Sequence, residues 1–254
     1  MAWKHSTHIW HLRREDKTSQ ETHCTHWIPV ILMNWKIADK ITTEVKLKCM
    51  SNNFRSVKNK KADIAAVIDE HKPDISLCNE FWLNPDIESK EIFPENYKIL
   101  RKDRVNDLNG GGVFQAVRSD MVIIHLTDMN INCEIIWSQC DLSEKQSKHI
   151  LFGSHYRPSS TRPESLEGFD ASPSKLGNSL DWKNVIITAG HFNAPDTNWS
   201  EANYLVSAAS ERRLEIVDNH DLYQHVNEPT RKTETSNNIL DLVFLNIVSV
   251  IRDV

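Results

Sequence analysis

The chain is 254 residues long, with 39% hydrophobic and 26% charged residues, which allows one large α/β domain or two small ones and excludes a globally disordered chain. A net charge of −5 and a pI near 6.2 exclude a protein that grips nucleic acid by overall charge, so any such contact rests on local basic patches or a bridging cation. Five dispersed cysteines (Cys24, Cys49, Cys78, Cys133 and Cys140) form no disulfide framework, and no apolar run reaches the roughly 18–20 residues that span a bilayer, so a cytoplasmic or nuclear protein is expected.

Residues 1–44 differ from the rest. They hold Trp3, Trp10, Trp27 and Trp35, half of the eight tryptophans, and five of the twelve histidines. Neither a period of 2 nor one of 3.6 stands out, so this stretch is taken as a separate leader without assigned structure. His5, His8 and His11 with His23, Cys24 and His26 lack the second cysteine that a zinc site of this kind requires. The domain is placed at residues 45–254.

From Val45 the pattern sharpens. Residues 45–50 alternate apolar side chains with lysine, as a half-buried strand does. Residues 59–71 place Ala62, Ile64, Ala65, Val67 and Ile68 at helical spacing, and Pro73 stops that helix. Residues 74–78 read as a buried strand and 97–100 as a short one. Gly110, Gly111 and Gly112 turn the chain into a strand over 113–118. No Lys-Ser or Lys-Thr follows them and no helix begins there, so a phosphate-binding P-loop is excluded. Residues 121–126, 134–142 and 149–156 give three more strands. The Pro/Ser-rich stretch 159–174 is expected to be loop, with a weak helix before Asp181. A strand over 185–188, a helix over 200–214 and a strand over 239–245 complete the pattern. Many strands with few helices point to a mixed α/β sandwich rather than a doubly wound parallel sheet.

The polar residues of interest sit mostly at strand ends, where such scaffolds carry reacting groups. Asn53 follows the first strand and is equally explained by turn chemistry. Glu80 follows the second; it is either a surface carboxylate or, with Phe81 and Trp82 beside it, one whose desolvation favours a bound cation. Tyr156-Arg157-Pro158 ends a later strand. His191-Phe192-Asn193 follows Thr188-Ala189-Gly190. Asp241 lies among aliphatic residues and needs a buried partner or a metal, since an uncompensated carboxylate there costs several kcal/mol. Gln115, inside the strand over 113–118, places a polar group where the core calls for an apolar one.

In order along the chain stand Asn53-Phe54-Arg55-Ser56, Glu80-Phe81-Trp82-Leu83, Arg101-Lys102-Asp103-Arg104, Gly110-Gly111-Gly112-Val113, Tyr156-Arg157-Pro158, Gly190-His191-Phe192-Asn193-Ala194-Pro195, Pro229-Thr230-Arg231 and Asn238-Ile239-Leu240-Asp241-Leu242-Val243-Phe244. Over residues 46–246 this series resembles the endonuclease/exonuclease/phosphatase family, and within it the endonuclease domain of LINE-type (non-LTR) retrotransposons. The resemblance implies a four-layered sandwich of two mixed β-sheets flanked by helices, like deoxyribonuclease I. It implies hydrolysis of DNA phosphodiesters with Mg²⁺, or Mn²⁺ in its place, in a monomer. By the same resemblance Glu80 is a metal ligand, with Asn53 helping to hold the metal or the phosphate. Tyr156 contacts the scissile phosphate, Asn193 orients phosphate or water, and Asp241 supports the site. Two departures stand out. The family's Gly-Asp-Phe-Asn motif reads Gly190-His191-Phe192-Asn193 here, so His191 replaces the acid that positions the nucleophile. The family's closing Ser-Asp-His motif would fall beyond Val254, which leads us to expect a C-terminally truncated sandwich lacking its last strand. The expectation is a nuclease-like domain of impaired activity, with a non-catalytic relic or a small-molecule or lipid phosphoesterase as alternatives.

Overall fold

A computed structural model describes residues 3–12, 28–38, 44–104, 110–129, 133–141, 149–158, 164–175, 184–197, 199, 207–246 and 250–251. Its strands are β1 (Trp3–Leu12), β2 (Ile28–Ala38), β3 (Glu44–Asn53), β4 (Ile75–Asn79), β5 (Tyr97–Lys102), β6 (Val113–Arg118), β7 (Ile123–His125), β8 (Glu134–Asp141), β9 (His149–Tyr156), β10 (Val185–His191), β11 (Tyr223–Gln224), β12 (Arg231–Lys232), β13 (Asn237–Asn238), β14 (Asp241–Leu245) and β15 (Val250–Ile251). The helices are α1 (Lys61–His71), α2 (Glu164–Lys175) and α3 (Ala208–Asn219). One seven-stranded sheet runs β15-β1-β2-β3-β4-β6-β5, a second of six strands runs β11-β14-β10-β9-β8-β7, and β12 pairs only with β13.

Strand alternation sorts the apolar side chains into layers. Ile31, Met33, Cys49, Ile75, Leu77 and Val117 of the first sheet meet Ile150, Phe152, Val185, Ile187, Val243 and Leu245 of the second. The outer face of the first sheet packs Phe54, Cys78 and Phe114 against Ile64 and Ile68 of α1. That of the second packs Ile135, Trp137, Leu151 and Phe244 against Leu166 and Phe169 of α2 and Ile216 of α3. The result is the expected four-layered sandwich: helix, mixed sheet, mixed sheet, helices. Among the described residues no helix is long and apolar enough to cross a membrane.

Local chemistry sets the helix ends. Helix α1 stops at Lys72, whose left-handed φ of 43° lets its N–H reach the Ile68 carbonyl at 2.7 Å, just before Pro73. The Ser207 side chain caps α3 by accepting the Ser210 N–H at 3.2 Å; residues 200–206, where this helix was expected to start, lie outside the described residues.

Three expectations differ from the structure. The leader assigned to residues 1–44 supplies two strands of the first sheet. Strand β2 pairs antiparallel with β3 from Val30↔Asn52 to Ala38↔Glu44, and β1 pairs with β2 along its whole length. Strand β2 escapes a period-2 reading for a physical reason. Val30, Ile31, Leu32 and Met33 are all buried, because one face meets the second sheet while the other meets α1, so no polar residue alternates with them. Next, the stretch expected as loop contains α2. Its Gly168, Ser172 and Pro173 depress helix propensity, but Leu166 and Phe169 are anchored in the core. Ser172 also accepts a hydrogen bond from the Trp137 indole, and Gly168 sits where a Cβ would come within 2.7 Å of the Cys133 side chain. Lastly, Gln115 is fully buried yet well paired. Its Nε2 donates to the carbonyls of Ile136 (3.2 Å) and Phe152 (3.0 Å), and its Oε1 accepts from the Ser138 hydroxyl (2.5 Å).

Two outcomes follow from this packing. Deleting residues 1–44 removes four buried side chains worth about 1.5–3 kcal/mol each, comparable with a domain's whole net stability. The truncated chain is therefore expected to give no cooperative thermal unfolding; a sharp transition near that of the full chain would restore the leader boundary. Gln115→Leu is expected to cost about 1–3 kcal/mol, because it strands the Ser138 hydroxyl. Adding Ser138→Ala should recover part of that loss in a denaturation cycle, and simple additivity would show that the two side chains do not act together.

Candidate functional site

Strand direction brings one end of both sheets together. Strands β3 and β4 run parallel, as do β9 and β10, so Asn53, Asn79, Tyr156 and His191 all sit at carboxyl ends. Strand β14 runs antiparallel to β10 and starts at the same end, which sets Asp241 opposite His191. Asn193 follows two residues after β10.

On the first sheet, the chain leaves β4 through left-handed backbone at Glu80 (φ 52°) and Trp82 (φ 59°). The Glu80 N–H donates to the Gly112 carbonyl (2.9 Å) and its carbonyl accepts from the Ser56 N–H (2.7 Å), so the turn is held from both sides. Asn53 Nδ2 donates to Glu80 Oε1 at 2.9 Å, while its Oδ1 accepts the Arg55 N–H at 3.2 Å. The Glu80 carboxylate is half-buried and forms no ion pair with any described residue.

On the second sheet, His191 Nδ1 donates to Asp241 Oδ1 at 2.9 Å, and both side chains are only 10% exposed. A carboxylate oxygen can only accept, so the proton sits on Nδ1. Burial pushes the His191 pKa down, but the charge and hydrogen bond of Asp241, reinforced by Glu80, outweigh it and leave it raised above 6.5. Asp241 is itself fixed from below: the Thr230 hydroxyl oxygen accepts the N–H groups of Leu240 and Asp241, each at 3.0 Å. Tyr156 stacks beside His191 with ring centroids 6.0 Å apart. Burial, helped by the nearby Glu80 charge, pushes the Tyr156 hydroxyl up to about 12 against the opposing pull of Arg104. The Asn193 side chain is half-buried and hydrogen-bonds to no described residue; its backbone, at φ 48°, offers its carbonyl to Arg157 at 3.1 Å.

The six sequence-predicted residues thus converge as two linked groups: Asn53 with Glu80, and Tyr156 with His191 and Asp241, with Asn193 at the rim. The charge of Glu80 reaches both Tyr156 and His191 across the gap between the sheets. Sequence reasoning gave no role to Arg104 and Glu134. Arg104 Nε donates to Glu134 Oε1 at 2.7 Å, Glu134 Oε2 accepts the Gly112 N–H at 2.5 Å, and the guanidinium lies 5.4 Å from the Tyr156 ring centroid. The signal was the glycine turn: a Cβ on Gly111 would lie 2.3 Å from the Arg104 guanidinium. His155, next to Tyr156, is fully buried between Phe169 and Phe192, and burial pulls its pKa down to about 3, so it is neutral packing.

A donor set of this kind suits only a cation that keeps most of its water. Among the described residues no three His, Cys, Asp or Glu side chains cluster as a metal cage. One oriented carboxylate, without a basic partner, could hold a hard divalent cation only if water and substrate oxygens complete its shell.

No family model matches the chain, and no curated protein matches it significantly. Solved structures do. The endonuclease domain of TRAS1, a telomere-specific non-LTR retrotransposon, superposes with a TM-score of 0.58 at 17% identity, covering 77% of this chain and 83% of that one. The AP endonuclease LMAP from Leishmania major gives 0.61 at 11% identity, with 78% of each chain covered. The Xenopus laevis APE2 catalytic domain gives 0.58 at 11%, covering 78% and 82%. The chain has the endonuclease/exonuclease/phosphatase fold.

The raised pKa of His191 has a consequence for stability. A folded-state pKa above the unfolded value stabilises fully below about 6.5 and fades as pH rises through the folded value. The melting temperature of the parent over that of His191→Gln should therefore be larger at pH 6 than at pH 9. A difference that stays constant or grows with pH would remove the charged pair.

Proposed function

We propose that this chain is a retrotransposon-derived, endonuclease-like domain that binds DNA phosphodiesters as a monomer and has weak or no nicking activity. The observation that carries this reading is the His191–Asp241 pair. In the resembling endonucleases, position 191 holds the acid that positions the nucleophile. Here the side chain is bound to Asp241, and its raised pKa extends the imidazolium form further into the neutral range. An imidazolium has no lone pair with which to take a proton from water. Losing one positioned acid–base group costs about 10²–10⁴ in rate.

The remaining groups suit binding. Glu80, oriented by Asn53, would hold magnesium or manganese, which would offset negative charge on a phosphodiester. The Tyr156 hydroxyl, kept protonated by burial and by Glu80, is a donor for a phosphate oxygen. The Asn193 amide adds a second donor from the rim. The order of motifs along residues 46–246 and the shared fold with the TRAS1 domain support the DNA reading.

Two measurements test it. Supercoiled plasmid incubated with Mg²⁺ should remain as intact with the parent chain as with Glu80→Ala. Rapid and complete conversion to open circles that Glu80→Ala abolishes would overturn the impaired reading. In contrast, His191→Asp sets two carboxylates side by side, so it should melt lower than the parent without metal and gain several degrees with millimolar Mg²⁺. Equal Mg²⁺ response in both proteins would overturn the assignment of this end of the sandwich as a cation and phosphate site.

A further inference from the structure

We propose that Trp82 is a stacking shelf for an unpaired nucleobase beside the phosphodiester site, an inference that rests on the DNA-binding reading above. Among the described residues the exposed aromatic side chains are Trp82 and Tyr223, and Trp82 stands two residues after Glu80. Trp82 is 37% exposed, although Phe81 beside it is fully buried. A bulky residue at φ 59° is a backbone outlier, and burial does not explain its retention.

The surroundings hold this ring in place. The Trp82 N–H donates to the Gly111 carbonyl at 3.1 Å, fixing the strained turn. Gly110, at φ 105°, backs the indole so closely that a Cβ there would stand 3.3 Å from its Cε2 and Nε1. Gly111 carries the Arg104 guanidinium and Gly112 the Phe81 ring in the same way. The three glycines therefore form a bed on which Phe81 is buried, Arg104 is held against Glu134 near Tyr156, and Trp82 keeps a supported, solvent-facing ring. A rigid aromatic face accepts any base, since every base offers a π-surface. In a duplex those faces are covered by neighbouring pairs, so the shelf fits a base in a single strand or one that has left the stack.

The test is binding of a single-stranded oligonucleotide containing 2-aminopurine, in Ca²⁺, read by quenching of its fluorescence, with a fully paired duplex as comparison. Trp82→Phe should keep the quenching. Trp82→Ala and Trp82→Gly should lose it and weaken single-strand binding about five- to a hundred-fold, with little change for the duplex. Trp82→Gly also relieves the left-handed backbone, so its melting temperature should equal or exceed that of the parent, which separates a binding loss from a folding loss. Parent-like affinity and quenching in Trp82→Gly would overturn the shelf and leave the DNA-binding reading intact. Absence of binding to either DNA by the parent would overturn both.

Discussion

Gln115 links the two sheets by directed bonds, and the candidate site depends on their alignment. The apolar contacts between the sheets supply most of the attraction, but burial of hydrocarbon is non-directional and tolerates sliding. Gln115 is not tolerant. It starts from β6 in the first sheet and donates to carbonyls of β8 and β9 in the second, while the Ser138 hydroxyl fills its remaining acceptor. A shift of one residue in either sheet would strand these groups in the core at a cost of about 1–3 kcal/mol each. The fixed register is what lets Glu80, on one sheet, act electrostatically on Tyr156 and His191, on the other.

Within that frame the His191–Asp241 pair sets stability against chemistry. A carboxylate at the start of β14 is costly to bury alone, and removing one partner of such a pair typically costs about 3–5 kcal/mol. His191 supplies the compensating proton, and Thr230 secures the backbone beneath it. His191 Nδ1 is thereby committed to Asp241. An acid at position 191 would leave two carboxylates in contact, which is tolerable when a cation or a shared proton sits between them.

Much of this was legible in the sequence, for identifiable reasons. Helix α1 and strand β3 announce themselves by their spacing, and β4, β6, β9 and β14 as short apolar runs framed by Pro73, the glycine turn or polar residues. Asp241 could be singled out because a charge among aliphatic residues requires a partner, and His191 because it interrupts a motif. Strand β2 was not legible, since burial on both faces erases alternation. Helix α2 was hidden by Gly168, Ser172 and Pro173; the distant Cys133 and Trp137 explain why Gly168 and Ser172 are tolerated there. The ion pair of Arg104 with Glu134 spans residues far apart in sequence, and neither position looks unusual by itself.

The mouth of the site shows the remaining physical constraint. Arg55, Ser56, Glu80, Trp82 and Asn193 all adopt positive φ without being glycine. Such residues cost of order 1–3 kcal/mol each and persist only where the surroundings over-determine them. Around Glu80 the surroundings are backbone: Ser56 is tied to Glu80, Glu80 to Gly112, and Trp82 to Gly111, whereas the Asn193 carbonyl is held by the Arg157 side chain. These bonds do not pass through His191 or Asp241. The turn that presents Glu80 and Trp82 is therefore held from the first sheet and, through the bond from Gly112 to Glu134, from the second, at points away from the His191–Asp241 pair. Each of these backbone bonds keeps its own partner whatever stands at position 191, so the turn that presents Glu80 and Trp82 does not depend on that side chain.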